Sequence, residues 1–171
     1  MARGRSPQLG AAAHHRRVAE TPGAPKRVRR GSDSSRHDLL SFLRRHRLAV
    51  QASTAIAGAP QAAVVGFAVT DELEIVFDTV DTSRKYVNLR ANPRVALVVG
   101  WDEEVTAQLE GTADFPEGDE LERIRGCYLE VFPDGRERLS WPGIAHVRVR
   151  IGWARYSDFT TDPPRIAEID F

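Results

Sequence analysis

The chain has 171 residues, 42% of them apolar and 28% charged, with as many basic as acidic side chains. That length suffices for one domain with its own core. The single cysteine, Cys127, excludes an intrachain disulfide and a thiolate metal cluster. The zero net charge hides an asymmetry: residues 1–31 hold eight basic side chains and one acid, so this segment carries +7 and the remainder −7.

Residues 1–34 are rich in Arg, Ala, Pro, Gly and Ser and nearly devoid of large apolar side chains. Such a segment buries too little surface to offset its ordering entropy, so a disordered basic tail is expected. A dispensable extension is favoured over a nucleic-acid, anionic-surface or organelle-targeting role. No apolar run approaches the roughly 20 residues of a membrane span, and no secretory signal is evident. The expected location is the cytoplasm.

A single domain is expected over residues 35–158. The stripe of Leu39, Leu40, Phe42 and Leu43 predicts a helix from Ser34 to Arg47, with Ser35 as its cap. Leu48 to Thr54 reads as a strand. After the turn Gly58-Ala59-Pro60, Gln61 to Val69 is a nearly unbroken apolar run, expected as a strand buried on both faces. Asp71-Glu72 turns the chain into a strand from Leu73 to Asp78. Ser83 to Ala91 reads as a helix capped by Thr82 and ended by Asn92-Pro93.

Arg94 to Trp101 is the next strand. From Glu104 to Phe115, Val105, Ala107, Leu109 and Ala113 alternate with Thr106, Gln108, Glu110 and Thr112, the pattern of a half-buried antiparallel strand. Glu117 to Phe132 is an amphipathic helix with Leu121, Ile124, Tyr128 and Val131 on one side, stopped by Pro133-Asp134-Gly135. In the last strand pair, Ala145, Val147, Val149 and Ile151 alternate with His146, Arg148 and Arg150. An irregular tail is expected over residues 159–171. About six antiparallel strands with a few helices specify a mainly β protein, a closed or nearly closed small barrel.

The chemistry concentrates in Phe77-Asp78-Thr79-Val80-Asp81-Thr82-Ser83-Arg84-Lys85. A strand ends, and a hydroxyl-rich loop enters a helix whose first turn carries two cations. Helix N-termini offer unpaired N–H groups and partial positive charge to anions. Arg84 adds a planar fork and Lys85 a compact cation. Thr79, Thr82 and Ser83 add hydroxyls. The pattern points to a phosphate cradle, against the plainer alternative of two solvated cations.

The run LEIVFDTVDTSRKYVNLRANPRVALVVGW resembles the strand–loop–helix–strand signature of the pyridoxamine 5'-phosphate oxidase-like flavoproteins, and the element order is similar to their six-stranded split barrel. The resemblance implies that Arg84 and Lys85 hold the phosphate of flavin mononucleotide (FMN). It also places Thr79 near the flavin, with Ser83, Thr82 and Asp78 in the same loop. The backbone of the strand Ala62 to Phe67, including Val64 and Val65, would line the isoalloxazine ring. Gln108 would reach the cofactor from a dimer partner, because sites in this family lie between two subunits. Where the oxidases carry Arg and Lys in the preceding strand, Ala63 and Ala68 stand here. Four residues after Tyr128 stands Phe132 rather than Arg. The resemblance thus reaches the flavin site without the pyridoxamine phosphate substrate site.

Other candidates are weaker. His37, His46 and His146 have no metal-ligand spacing. His146 is expected at the surface, Cys127 buried and inert, and Trp101, Trp141 and Trp153 as core or interface fillers. The readings that follow are an FMN-dependent oxidoreductase on a small organic substrate, a variant using a deazaflavin coenzyme, a haem-handling barrel relying on His46 or His146, or a flavin-holding module without turnover.

Overall fold

The structure, a computed structural model, describes residues 33–171. The segment before them, with its expected disorder, lies outside the described residues. The elements run α1 (Asp33–Arg44), β1 (Leu48–Thr54), β2 (Pro60–Gly66), β3 (Ala68–Val69), β4 (Glu74–Val80), α2 (Arg84–Ala91), β5 (Arg94–Val99), β6 (Val105–Asp114), α3 (Gly118–Val131), α4 (Gly135–Arg138), β7 (Ile144–Asp158) and β8 (Arg165–Asp170).

All strand pairs are antiparallel, in the order β2-β1-β5-β6-β7-β4-β3, with β8 added to β7. The two ends of that order, β2 and β3, are one stretch of chain broken only at the buried Phe67. The sheet therefore curls until its first and last strands meet, which is the split-barrel arrangement. Alternate residues point into the barrel, among them Ile75 and Phe77 from β4, Leu97 and Val99 from β5, and Val147 and Val149 from β7. Leu39, Phe42 and Leu43 of α1 join the same core.

Where β6 crosses β7 the register shifts between Glu110 and Gly111. A Cβ at Gly111 would lie 2.3 Å from the Arg150 carbonyl oxygen, so only glycine permits this approach.

Several expectations change. The run Gln61 to Val69 is not one strand buried on both faces. β2 is paired only with β1, and its outward residues Ala62 and Val64 are exposed, because apolar sequence alone does not reveal which strand lies at an edge. Ser35 lies inside the first turn of α1, which begins at Asp33. The cap of α2 is Ser83 rather than Thr82. The expected final strand pair is a single 15-residue strand, β7. The C-terminal segment is not irregular throughout, since Arg165–Asp170 pairs with β7. The prolines at 163 and 164 precede that strand instead of preventing it.

The outer face of β4 and β7 is covered by α3, where Ile124, Tyr128 and Leu129 pack on Ala68 and Val76. His146 is consequently buried, 4% exposed, with its ring 5.6 Å from that of Tyr128. The polar register of a strand marks a surface only when no helix packs on it. Arg148 beside it is held by Asp114 through Nε at 3.0 Å and Nη2 at 2.8 Å, and by Glu120 at 2.7 Å.

Candidate functional site

β4 delivers the chain to α2 through Thr79. Its side chain faces the barrel interior, and its Oγ1 lies 2.8 Å from Ser83 Oγ. Ser83 Oγ in turn accepts from the Tyr86 N–H at 3.2 Å, which is the N-cap bond of α2. The first turn of α2 contains no acid, and its opening residues are Arg84 and Lys85. Among the described residues, no carboxylate pairs with either cation, whereas Arg123, Arg138 and Arg148 are all engaged in ion pairs.

Arg84 and Lys85 line a cavity of about 270 Å³ together with Gln51, Ser53, Gln61, Ala62 and Ala63. β1 contributes Gln51 and Ser53 and β2 the rest, in facing register: Gln51 opposite Ala63, and Ser53 opposite Gln61. Asn88, one turn along α2, ties the walls together. Its Nδ2 donates to Ser53 Oγ at 3.2 Å and to Gln61 Oε1 at 3.0 Å. The cavity combines two unpaired cations, amide and hydroxyl side chains and no carboxylate, a lining suited to an anion.

The expected site residues therefore divide. Arg84 and Lys85 share this cavity with Gln61, Ala62 and Ala63 of β2 but not with Val64 or Val65, and Ser83 and Thr79 support the helix end. Thr82 is exposed in the preceding turn. Asp78 points to the other side of β4, where Tyr128 Oη donates to its Oδ1 at 2.9 Å and Arg138 Nε to its Oδ2 at 2.7 Å; its side chain is spent on packing α3 and α4. Burial and the neighbouring Asp78 charge push the Tyr128 hydroxyl well above its ordinary pKa, so it remains a donor. Val65 is buried toward the barrel interior and Val64 exposed on the outer face.

Gln108 is exposed on the outer face of β6. It stands in a row with Val98, Val50 and Val64 across four neighbouring strands, about 14 Å from β2 at ordinary strand spacing. Sequence reasoning missed Gln51, Ser53 and Gln61. The available signal was the placement of Gln51 and Ser53 on the same face of β1 as the core residue Ala49.

The remaining candidates lie apart. His46 Nδ1 is bonded to the Phe42 carbonyl at 2.9 Å and its ring packs on Phe42. It borders a cavity between α1 and α3 whose lining includes Asp71, Glu72, Glu122 and Glu130. Cys127 borders the same cavity, and burial holds its thiol above the ordinary pKa. His37 is exposed. Trp101 and Trp141 are about half exposed rather than core residues. Among the described residues no group of three or more His, Cys, Asp or Glu is arranged to hold a metal ion, and no helix is long and apolar enough to cross a membrane.

The curled antiparallel sheet, closed where β2 and β3 meet, is a split barrel. Residues 36–138 match the pyridoxamine 5'-phosphate oxidase family, and the chain belongs to the pyridoxamine 5'-phosphate oxidase-like family. The comparison with curated proteins gave no match.

Solved structures share the fold. A haem-binding protein from Mycobacterium smegmatis superposes with a TM-score of 0.68 at 18% identity, over 77% of this chain and 55% of its own. The present chain thus spans just over half the length of that relative. A pyridoxamine 5'-phosphate oxidase-related, FMN-binding protein from Nostoc punctiforme gives 0.62 at 11% identity, over 80% and 90% of the two chains. HutZ, the haem storage protein of Vibrio cholerae, gives 0.59 at 17% identity, over 67% and 88%.

Proposed function

We propose that this protein binds FMN and acts as a flavin-dependent oxidoreductase on a small organic substrate. The observation that carries the reading is the cavity uniting Arg84 and Lys85 with Gln61, Ala62 and Ala63 of β2. The residues present fit the cofactor: two cations without carboxylate partners and a capped helix N-terminus suit its phosphate, and an open edge strand suits its ring. A bound flavin would supply the hydride or electron chemistry. The protein's residues bind and orient it.

The proposal includes a homodimer with shared sites. The outer face of β2, β1 and β5 presents Leu48, Val64 and Val98, all more than a third exposed, and a second copy would cover them. Gln108 is too far across the sheet to serve its own subunit's cavity, so its proposed role is toward the partner's flavin.

The names of two structural neighbours motivate a haem reading. The described histidines support it less. His146 is buried under α3, and the cavity beside His46 carries four carboxylates, Asp71, Glu72, Glu122 and Glu130, against the two guanidinium groups of Arg44 and Arg123, each already in an ion pair, a balance unfavourable to haem propionates.

The absorption spectrum of the purified protein separates the readings. Paired near-UV and blue bands are expected for FMN, a single band would mark a deazaflavin coenzyme, and a Soret band haem. No band would favour a barrel without turnover. Titration with FMN and riboflavin then tests the site. Arg84→Ala should weaken FMN binding by roughly 10- to 100-fold, the loss of one charge-assisted hydrogen bond, and leave riboflavin affinity unchanged. The Arg84→Ala/Lys85→Ala double variant should lose the preference for FMN. Equal FMN affinity in all variants would refute the assignment.

A further inference from the structure

Gln51 occupies the middle of β1 on the barrel-facing side and is 1% exposed. Among the described residues, its Nε2 has no hydrogen-bond partner. Buried side-chain amides are nearly always bonded, because leaving one unmade forfeits its hydration without return. This side chain lines the cavity of Arg84 and Lys85. Its register partner on β2 is Ala63, whose methyl group offers the amide no hydrogen bond.

The neighbouring groups sharpen the chemistry. Asn88 already donates to Ser53 Oγ and Gln61 Oε1. What these two residues have left for a ligand is chiefly O–H and N–H. With Gln51 Nε2, Arg84 and Lys85, the cavity is rich in donors, and no carboxylate is among its lining residues. A ligand that satisfies such a lining presents several acceptor oxygens and negative charge, as a terminal phosphoryl group does.

We infer that Gln51 is a ligand-binding residue whose Nε2 donates to an oxygen of the phosphoryl group held between Arg84 and Lys85. The identification of that group as the FMN phosphate rests on the function proposed above. The donor is neutral, so the site keeps a charge of +2 from its two cations, matched to a phosphomonoester dianion. The cost of the unpartnered amide is borne by the ligand-free barrel and relieved on binding, as at other functional sites where local rules are broken.

Gln51→Leu and the unbranched Gln51→Met remove the donor while conserving approximate volume. Both should bind FMN about tenfold more weakly than wild type by flavin fluorescence titration, with riboflavin affinity unchanged. Their ligand-free melting temperatures should equal or exceed that of wild type. Inorganic phosphate, a probe independent of the flavin, should raise the melting temperature of wild type more than that of either variant. If wild type prefers FMN to riboflavin and both variants keep the full preference, the role of Gln51 is overturned while the phosphate site stands. If the variants melt lower and bind both flavins equally poorly, Gln51 is a packing residue and the inference falls. If wild type shows neither FMN preference nor response to phosphate, the cradle itself is refuted and Gln51 with it.

Discussion

Thr79 Oγ1 and Ser83 Oγ lie 2.8 Å apart, joining the end of β4 to the cap of α2. This bond fixes where the helix starts, and hence where Arg84 and Lys85 emerge. Ser83→Ala removes both the cap and the tie to Thr79. The expected loss is about 1 kcal/mol of stability, read by urea unfolding, together with weaker FMN binding and unaltered riboflavin binding. A variant as stable as wild type would show that the cap is dispensable.

Asp78 offers a contrast one residue earlier. Its carboxylate is shared by Tyr128 and Arg138 on the far side of the strand. Asp78→Asn should destabilise by about 1–3 kcal/mol, because Arg138 loses a charged acceptor in a partly buried site. The ratio of FMN to riboflavin affinity should not change. A shifted ratio at unchanged stability would return Asp78 to the cofactor site.

The exposed apolar face of β2 and β1 gives a test of assembly. Val64→Glu places a charge at a position 61% exposed in the single chain, where a monomer would tolerate it. In the proposed dimer the charge would be buried unpaired. Light scattering at micromolar concentration should give a dimer mass for wild type and a monomer mass for the variant. A dimeric variant would place the interface elsewhere.

His146 should make stability depend on pH. Burial, reinforced by the charge of Arg125, lowers its pKa below the ordinary 6.5, against the opposing pull of Asp78 and Glu122. The unfolded chain therefore takes up a proton at higher pH than the folded one. The stabilisation is full above about pH 6.5 and fades as pH falls toward the folded pKa. Melting temperatures between about pH 7.5 and 5.5 should fall less steeply for His146→Gln than for wild type. Parallel slopes would mean that the ring titrates normally.

The helix start that carries Arg84 and Lys85 is legible because it is local. Ser83, Arg84 and Lys85 are consecutive, and a hydroxyl followed by two cations at a helix start carries its physics within one turn. The error of one residue in the cap is of the same local kind, since Thr82 and Ser83 are both competent caps and only the bond to Thr79 selects the second. The strand Val105–Asp114 was legible for a similar reason: its alternation is strict, and its inward face is buried as the pattern required.

By itself the sequence determined the mainly β class, the helix bearing Arg84 and Lys85, and the family signature, because periodicity, caps and motifs act over a few residues. Only the tertiary structure decided what those pieces face. Closure through β2 and β3 left Val64 outside, and α3 turned the polar register of β7 into a buried layer around His146 and Arg148. Antiparallel pairing of β1 with β2 brought Gln51 opposite Ala63 beside the two cations. These are contacts between residues far apart along the chain. They are fixed by which surfaces remain uncovered when the sheet curls, a property of the whole barrel that no short window of sequence contains.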